Sequence, residues 1–177
     1  MNESLRSELV GTSGLAVAAA AALVLTILRA PAPSQSDARR RTAALFVAGL
    51  MIYALHFLEE YATRFYERFP PVLGLSPWPA GFFIVFNLSW LLVWVLAAPG
   101  LRAGYRVAYF PVWFFAIAMM GNGVAHPLLS VYARGYFPGL ITSPLAGIVG
   151  FWLWSRLRAI TESAHGKTRT TSSSPNQ

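Results

Sequence analysis

Five runs of apolar residues, each close to the roughly 20 residues that a helix needs to cross about 30 Å of hydrocarbon, constrain this chain more than any other feature. They cover about 9–28, 42–69, 80–98, 107–132 and 140–157. The first is built around the alanine tract Ala18 to Ala22, the second stops at Pro70-Pro71, and the third stops at Pro99-Gly100. Hydrophobic residues make up 55% of the 177, and charged residues 12%, about half the share of a soluble domain. A soluble core of this length would leave large apolar patches in water. The expected fold is therefore an all-α bundle of five transmembrane helices, with the lipid bilayer as its solvent.

Orientation follows from where the basic residues fall. Arg29 and Arg39 to Arg41 lie between the first and second runs, Arg102 and Arg106 between the third and fourth, and Arg156, Arg158, Lys167 and Arg169 after the fifth. The opposite connections are poorer, with none in 72–79 and only Arg134 after the fourth run; Arg64 and Arg68 are the exception. The amino terminus is thus expected outside and the carboxy terminus inside. Glu3 and Glu8 precede the first run and its positive charges come after it, which fits an uncleaved helix better than a signal peptide. Residues 159–177 end in Ser, Thr, Pro and Asn, bury nothing apolar, and are expected to be a disordered cytoplasmic tail.

The net charge of +7 does not indicate nucleic acid, because no basic stretch is interleaved with aromatics in a folded module. The absence of cysteine removes thiol chemistry and Cys-ligated metals. Chemistry here rests on oxygen and imidazole.

Ionisable groups inside a membrane helix are functional-site hypotheses by default. The second run carries His56, Glu59 and Glu60, at spacings of three and four that put both carboxylates beside the imidazole. The fourth carries Gly121-Asn122-Gly123 and His126-Pro127, with Asn122 and His126 again four apart. At about 1.5 Å per residue, His56 and Asn122 lie about 21 to 22 Å up their helices, and Glu59, Glu60 and His126 about 26 to 28 Å up. Asn87 falls at a similar level. The candidate catalytic residues are His56, Glu59, Glu60, Asn122 and His126. Of these, His56, Glu60 and His126 form a 2-His-1-carboxylate set suited to one divalent iron, manganese or zinc ion. Proton chemistry without metal is the alternative, one carboxyl acting as acid and its neighbour or an imidazole as base.

Structural readings stand beside these. Glu60 and Arg64 are spaced for an i,i+4 pair; Asn122 and Asn87 suit hydrogen bonds between helices; His126 could satisfy a carbonyl freed by Pro127. The hydroxyls of Thr142 and Ser143 could face the pocket or bond backbone. No internal repeat is visible, so a carrier is weakened unless an oligomer supplies the pathway.

His56-Phe57-Leu58-Glu59-Glu60, followed by Asn122, His126 and the turn Arg134-Gly135-Tyr136-Phe137-Pro138-Gly139, resembles the HXXEE-domain family. The resemblance covers about Thr42 to Arg158 and implies a small bacterial integral membrane protein, placed in the inner membrane. It implies no reaction. The expected function is an enzyme acting on an apolar or amphipathic, lipid-like substrate, with a proton- or cation-coupled carrier or binding protein and a non-catalytic subunit as alternatives.

Overall fold

The computed structural model describes residues 2–163, whose regular structure is helical apart from one two-stranded ribbon. Helix α1 (Glu3–Gly11) is capped by Asn2, whose side-chain oxygen accepts the Leu5 amide at 2.8 Å. It bends by 44° into α2 (Ser13–Leu28). At the bend, Thr12 and Ser13 turn their hydroxyls onto the carbonyls of Glu8 and Val10, local bonds that compete with a continuous helix. The first apolar run is therefore a broken pair. Then come strand β1 (Arg29–Pro31), α3 (Ser36–Ala62), α4 (Phe65–Arg68), a 3₁₀ turn over Pro70–Leu73, α5 (Ala80–Ala103), α6 (Tyr109–Tyr132), α7 (Ser143–Ala159) and β2 (Thr161–Ser163).

Three helices are long and apolar enough to cross a membrane, namely α3, α5 and α6 with its preceding turn, and a fourth crossing is available if α1 and α2 count as one span. Helix α7 has 17 residues, about 25 Å at the helical rise. The second apolar run does not continue as one helix to Pro70. Helix α3 ends at Ala62, Arg64 takes a left-handed backbone (φ 59°), and Phe65 starts a new turn. The chain after the break folds over the end of the bundle. Downstream, the expected tail begins later than Ala159, which closes α7, because Thr161–Ser163 pairs antiparallel with Arg29–Pro31. The remainder of the tail, with His165, lies outside the described residues.

Helix α6 is central, packing on α7, α2 and α5, while α3 packs on α5 and α7. Of the fully buried aromatics on α6, Phe115 meets Phe46 of α3 and Trp94 of α5, Phe114 meets Trp94, and Trp113 meets Trp154 of α7. The outward faces carry Met51, Leu55, Val85, Leu92, Leu96, Val124 and Leu128, exposed in the protein and suited to hydrocarbon. The bundle has two unlike ends. At one, Arg29 bonds Thr161 and the Arg158 carbonyl, and Arg106 reaches the Ile27 carbonyl at 2.8 Å. At the other, α1 is tied to the 74–79 segment, the Ser7 hydroxyl donating to the Ser76 carbonyl and the Trp78 indole to the Ser7 carbonyl. The carboxy-terminal ends of α3 and α6 lie at this second end, beneath the 133–142 connection.

Candidate metal centre

Helices α3 and α6 run in the same direction, so residues near their last turns face each other. His56 and Glu60 lie one turn apart on α3, and His126 comes from α6. Glu60 Oε1 is 3.3 Å from His126 Nε2 and 3.7 Å from His56 Nε2. The imidazoles stand edge to face with centroids 4.8 Å apart. All three residues are buried, His56 completely.

What lies behind each ring fixes which nitrogen carries hydrogen. His126 Nδ1 is 2.6 Å from the Pro138 carbonyl, which can only accept, so Nδ1 donates. His56 Nδ1 is 2.7 Å from the Thr142 hydroxyl. That hydroxyl already donates its single hydrogen to Glu59 Oε2 at 2.6 Å, so it accepts from His56. With Nδ1 donating on both rings, each neutral imidazole turns an Nε2 lone pair towards Glu60. His56 Nε2 has no hydrogen-bond partner although it is buried. With both rings neutral, three acceptors converge on one point.

Such a convergence repels itself unless a cation or protons occupy it. No Arg or Lys pairs with Glu60 among the described residues. The donor atoms of His56, Glu60 and His126 lie within 4.8 Å of one another. Ligands about 2.0 to 2.1 Å from a common metal sit about 3.0 to 3.4 Å apart, so the two measured separations from Glu60 are near those of a coordination shell. Histidines held through the opposite nitrogen by a carbonyl or a hydroxyl-carboxylate pair are the usual second support of metal ligands. The donor set is of the type that holds a divalent ion, with the widest separation, up to 4.8 Å, having to close for all three to share one.

Glu59 faces a different set of partners. Its carboxylate accepts from the Tyr136 hydroxyl (2.7 Å), the Ile141 amide (2.9 Å), and the Thr142 amide (2.8 Å) and hydroxyl. Burial, then the bond to Glu59, push the Tyr136 phenol up, which keeps its proton available for donation. Glu59 thus ties the 133–142 connection down and orients His56 through Thr142. Gly139, at φ 86°, lies so close to both rings that an added Cβ would collide with His126 and come 3.0 Å from His56 Cε1. Phe65 closes the outer side, its ring 5.3 Å from that of His126.

The i,i+4 pairing of Glu60 with Arg64 does not form; Arg64 pairs instead with Glu67 at 3.5 Å. His126 bonds the Pro138 carbonyl in the turn, not one freed by Pro127. Asn87 is held by Tyr53, whose hydroxyl donates to Oδ1 at 2.6 Å, and by the Phe83 carbonyl. Asn122 is half-buried and lines a cavity of about 450 Å³ shared with Glu60 and His126. Thr142, Tyr136, the Pro138 carbonyl and Gly139 complete the site.

The turn that follows α6 therefore supplies the support for ligands that α3 and α6 bring, and the pentapeptide His56 to Glu60 supplies one carboxylate to the centre and one to the turn. A family described as "Protein of unknown function with HXXEE motif" matches residues 47–153, more than half of the chain. The chain belongs to the HXXEE family. No curated protein and no solved structure matches it. In this member, the motif's histidine and second glutamate face the centre, and its first glutamate faces the turn.

Proposed function

We propose that this HXXEE protein is a five-span protein of the bacterial inner membrane, amino terminus outside and carboxy terminus inside, in which His56, Glu60 and His126 hold one divalent iron, manganese or zinc ion and act on an apolar or amphipathic substrate. The observation that carries the reading is the buried, unpartnered His56 Nε2, aimed with His126 Nε2 at Glu60 while both Nδ1 atoms are held from behind. Of the buried side-chain atoms without a partner, His56 Nε2 is the one that faces both a carboxylate and a second imidazole nitrogen, and leaving it unmatched costs about 1 to 3 kcal/mol that a bound ion would recover.

A bound ion of this kind supplies Lewis acidity or, for iron and manganese, redox chemistry. The chain's own residues do the rest. Glu60 sets the charge of the centre, Thr142 with Glu59 and the Pro138 carbonyl keep the imidazoles in one tautomer, and Phe65 with the turn at 137–139 excludes water. Asn122, one turn from His126 on the cavity wall, presents an amide to a substrate group. The cavity that reaches Glu60 is walled largely by aromatic and aliphatic side chains, which favours an apolar substrate over passage of a hydrated cation.

Elemental analysis of the detergent-purified protein beside His56→Ala and His126→Ala tests the centre. About one equivalent of metal in the parent, lost in both monodisperse variants, is expected. A well-folded parent with no metal, as purified without chelator and again after reconstitution, would remove the ion and leave proton chemistry at Glu60.

A further inference from the structure

The cavity at the centre is long rather than round. Helix α2 packs on α6 and α5 on α3 and α6, yet α2 (through Leu15, Val17, Ala18 and Ala21) and α5 (through Phe82, Phe86, Trp90 and Trp94) both wall the cavity. The space is thus the slot left between α2 and α5. Its α2 wall includes Val17, 72% exposed, on a surface suited to hydrocarbon. A bilayer lipid would meet the slot from the side, without passing through water.

One pole of the slot holds the ionisable groups, and the other is mainly aromatic, with Trp94 Nε1 its buried, unpartnered donor. Glu60, His126 and Asn122 stand near one end, and Trp94 and Phe114 at the other. From His126 to Phe114 along α6, and from Phe82 to Trp94 along α5, is twelve residues, about 18 Å. Carbon chains with bonds of about 1.5 Å and open angles advance about 1.3 Å per carbon, so about 14 carbons span that distance. At about 450 Å³, the cavity is in the lower part of the range of about 300 to 1,000 Å³ for single-ligand pockets. That is room for one chain and not for two.

Resting on the reading of His56, Glu60 and His126 as the reacting centre, we propose that the ligand is a single-chain amphiphile of about 14 to 16 carbons. It enters from the bilayer between α2 and α5, with its oxygen-bearing head at Glu60 and His126 and its tail against Trp90, Trp94 and Phe114. A two-chain phospholipid would have to leave its second chain outside the slot, and a short-chain acid would leave the far aromatics uncovered.

Three of the six tryptophans, Trp78, Trp90 and Trp94, line the cavity, which provides a readout independent of activity. Palmitic acid brominated at its methyl end, added to the purified protein in detergent, should quench about a third of the tryptophan fluorescence saturably, through contact with Trp90 and Trp94. Ala118→Phe fills the slot from α6 and should weaken this at least tenfold. Ala21→Phe, on the exposed face of α2, narrows the entrance without touching the core and should do the same if Ala118→Phe fails to fold. Quenching that does not saturate, that persists in both variants, or that a dibrominated phospholipid reproduces at equal affinity overturns the single-chain ligand. Metal content is read on the same samples. Metal without saturable quenching defeats the ligand and spares the centre, whereas saturable quenching without metal spares the ligand and defeats the ion.

Discussion

At the scale of single residues, the site depends on a hydroxyl that does two jobs. Thr142 accepts from His56 Nδ1 and donates to Glu59, so removing it releases the imidazole and one of the bonds that hold the turn. Thr142→Val keeps the shape and should lower metal affinity about 10- to 100-fold, as loss of such support does at other centres. Titration against a competing chelator measures this. Thr142→Ser should restore most of the affinity, and an unchanged Thr142→Val would show that His56 is positioned by packing alone. Spacing made His56, Glu60 and His126 legible as a set, because residues four apart on a helix share a face and depth along two helices can be counted. The sequence does not decide whether the Thr142 hydroxyl faces the pocket or bonds its own backbone. The Pro138 carbonyl carried no mark at all, since every residue has one. Adjacent glutamates point about 100° apart on a helix, one turn being 3.6 residues, but only the tertiary structure shows that Glu60 looks inward at His126 and Glu59 towards the turn.

At the scale of elements, the centre relies on how closely α6 and α7 approach. An added Cβ on Gly123 would lie 2.6 Å from Gly147 Cα, one on Gly147 2.9 Å from Gly123 Cα, and one on Gly150 2.8 Å from the Ala116 carbonyl. The backbones touch there, as small residues permit between membrane helices. This contact seats the start of α7, and with it Thr142, over His56. Gly147→Leu should force the pair apart, lower stability by about 3 kcal/mol, and reduce metal binding together with melting temperature. Gly14→Leu, where nothing lies within 4 Å of an added Cβ, should leave the melting temperature unchanged in the same thermal assay. Equal melting of parent and Gly147→Leu would mean that the helices part without loss. The all-helical architecture and the three long apolar helices α3, α5 and α6 were legible because length and hydropathy alone define them. The break at Arg64 was not, because no Gly or Asn announces a left-handed residue there, and the tertiary contacts of Phe65 with His126, Phe83 and Phe137 compensate the strain. The ribbon of Arg29–Pro31 with Thr161–Ser163 was equally hidden, since it joins segments more than a hundred residues apart through backbone bonds.

At the scale of the whole molecule, charge separates the two ends of the bundle. The end built from the 29–41, 102–106 and 156–162 segments carries eight arginines and two acids among the described residues. The end that covers the candidate metal centre carries four arginines and five acids. Short basic connections are retained on the cytoplasmic side because translocating them is opposed, so the proposed orientation would put the centre in the outer leaflet, with its slot opening into that leaflet. The chain has no cysteine, which makes single-cysteine labelling a clean test of this placement. Leu73→Cys lies at the end beside the centre, where Leu73 is 49% exposed; Ser34→Cys lies in the exposed connection before α3 at the basic end. A membrane-impermeant maleimide applied to intact spheroplasts should label Leu73→Cys and spare Ser34→Cys until the membrane is opened. The reverse pattern would invert the protein and draw its amphiphile from the cytoplasmic leaflet. Labelling of both positions in sealed spheroplasts would break the alternation of the helices between two faces, and with it the five-span reading. The expected pattern, by contrast, would place the centre on the outer side and the arginine-rich end of the bundle in the cytoplasm, as the charge asymmetry predicts.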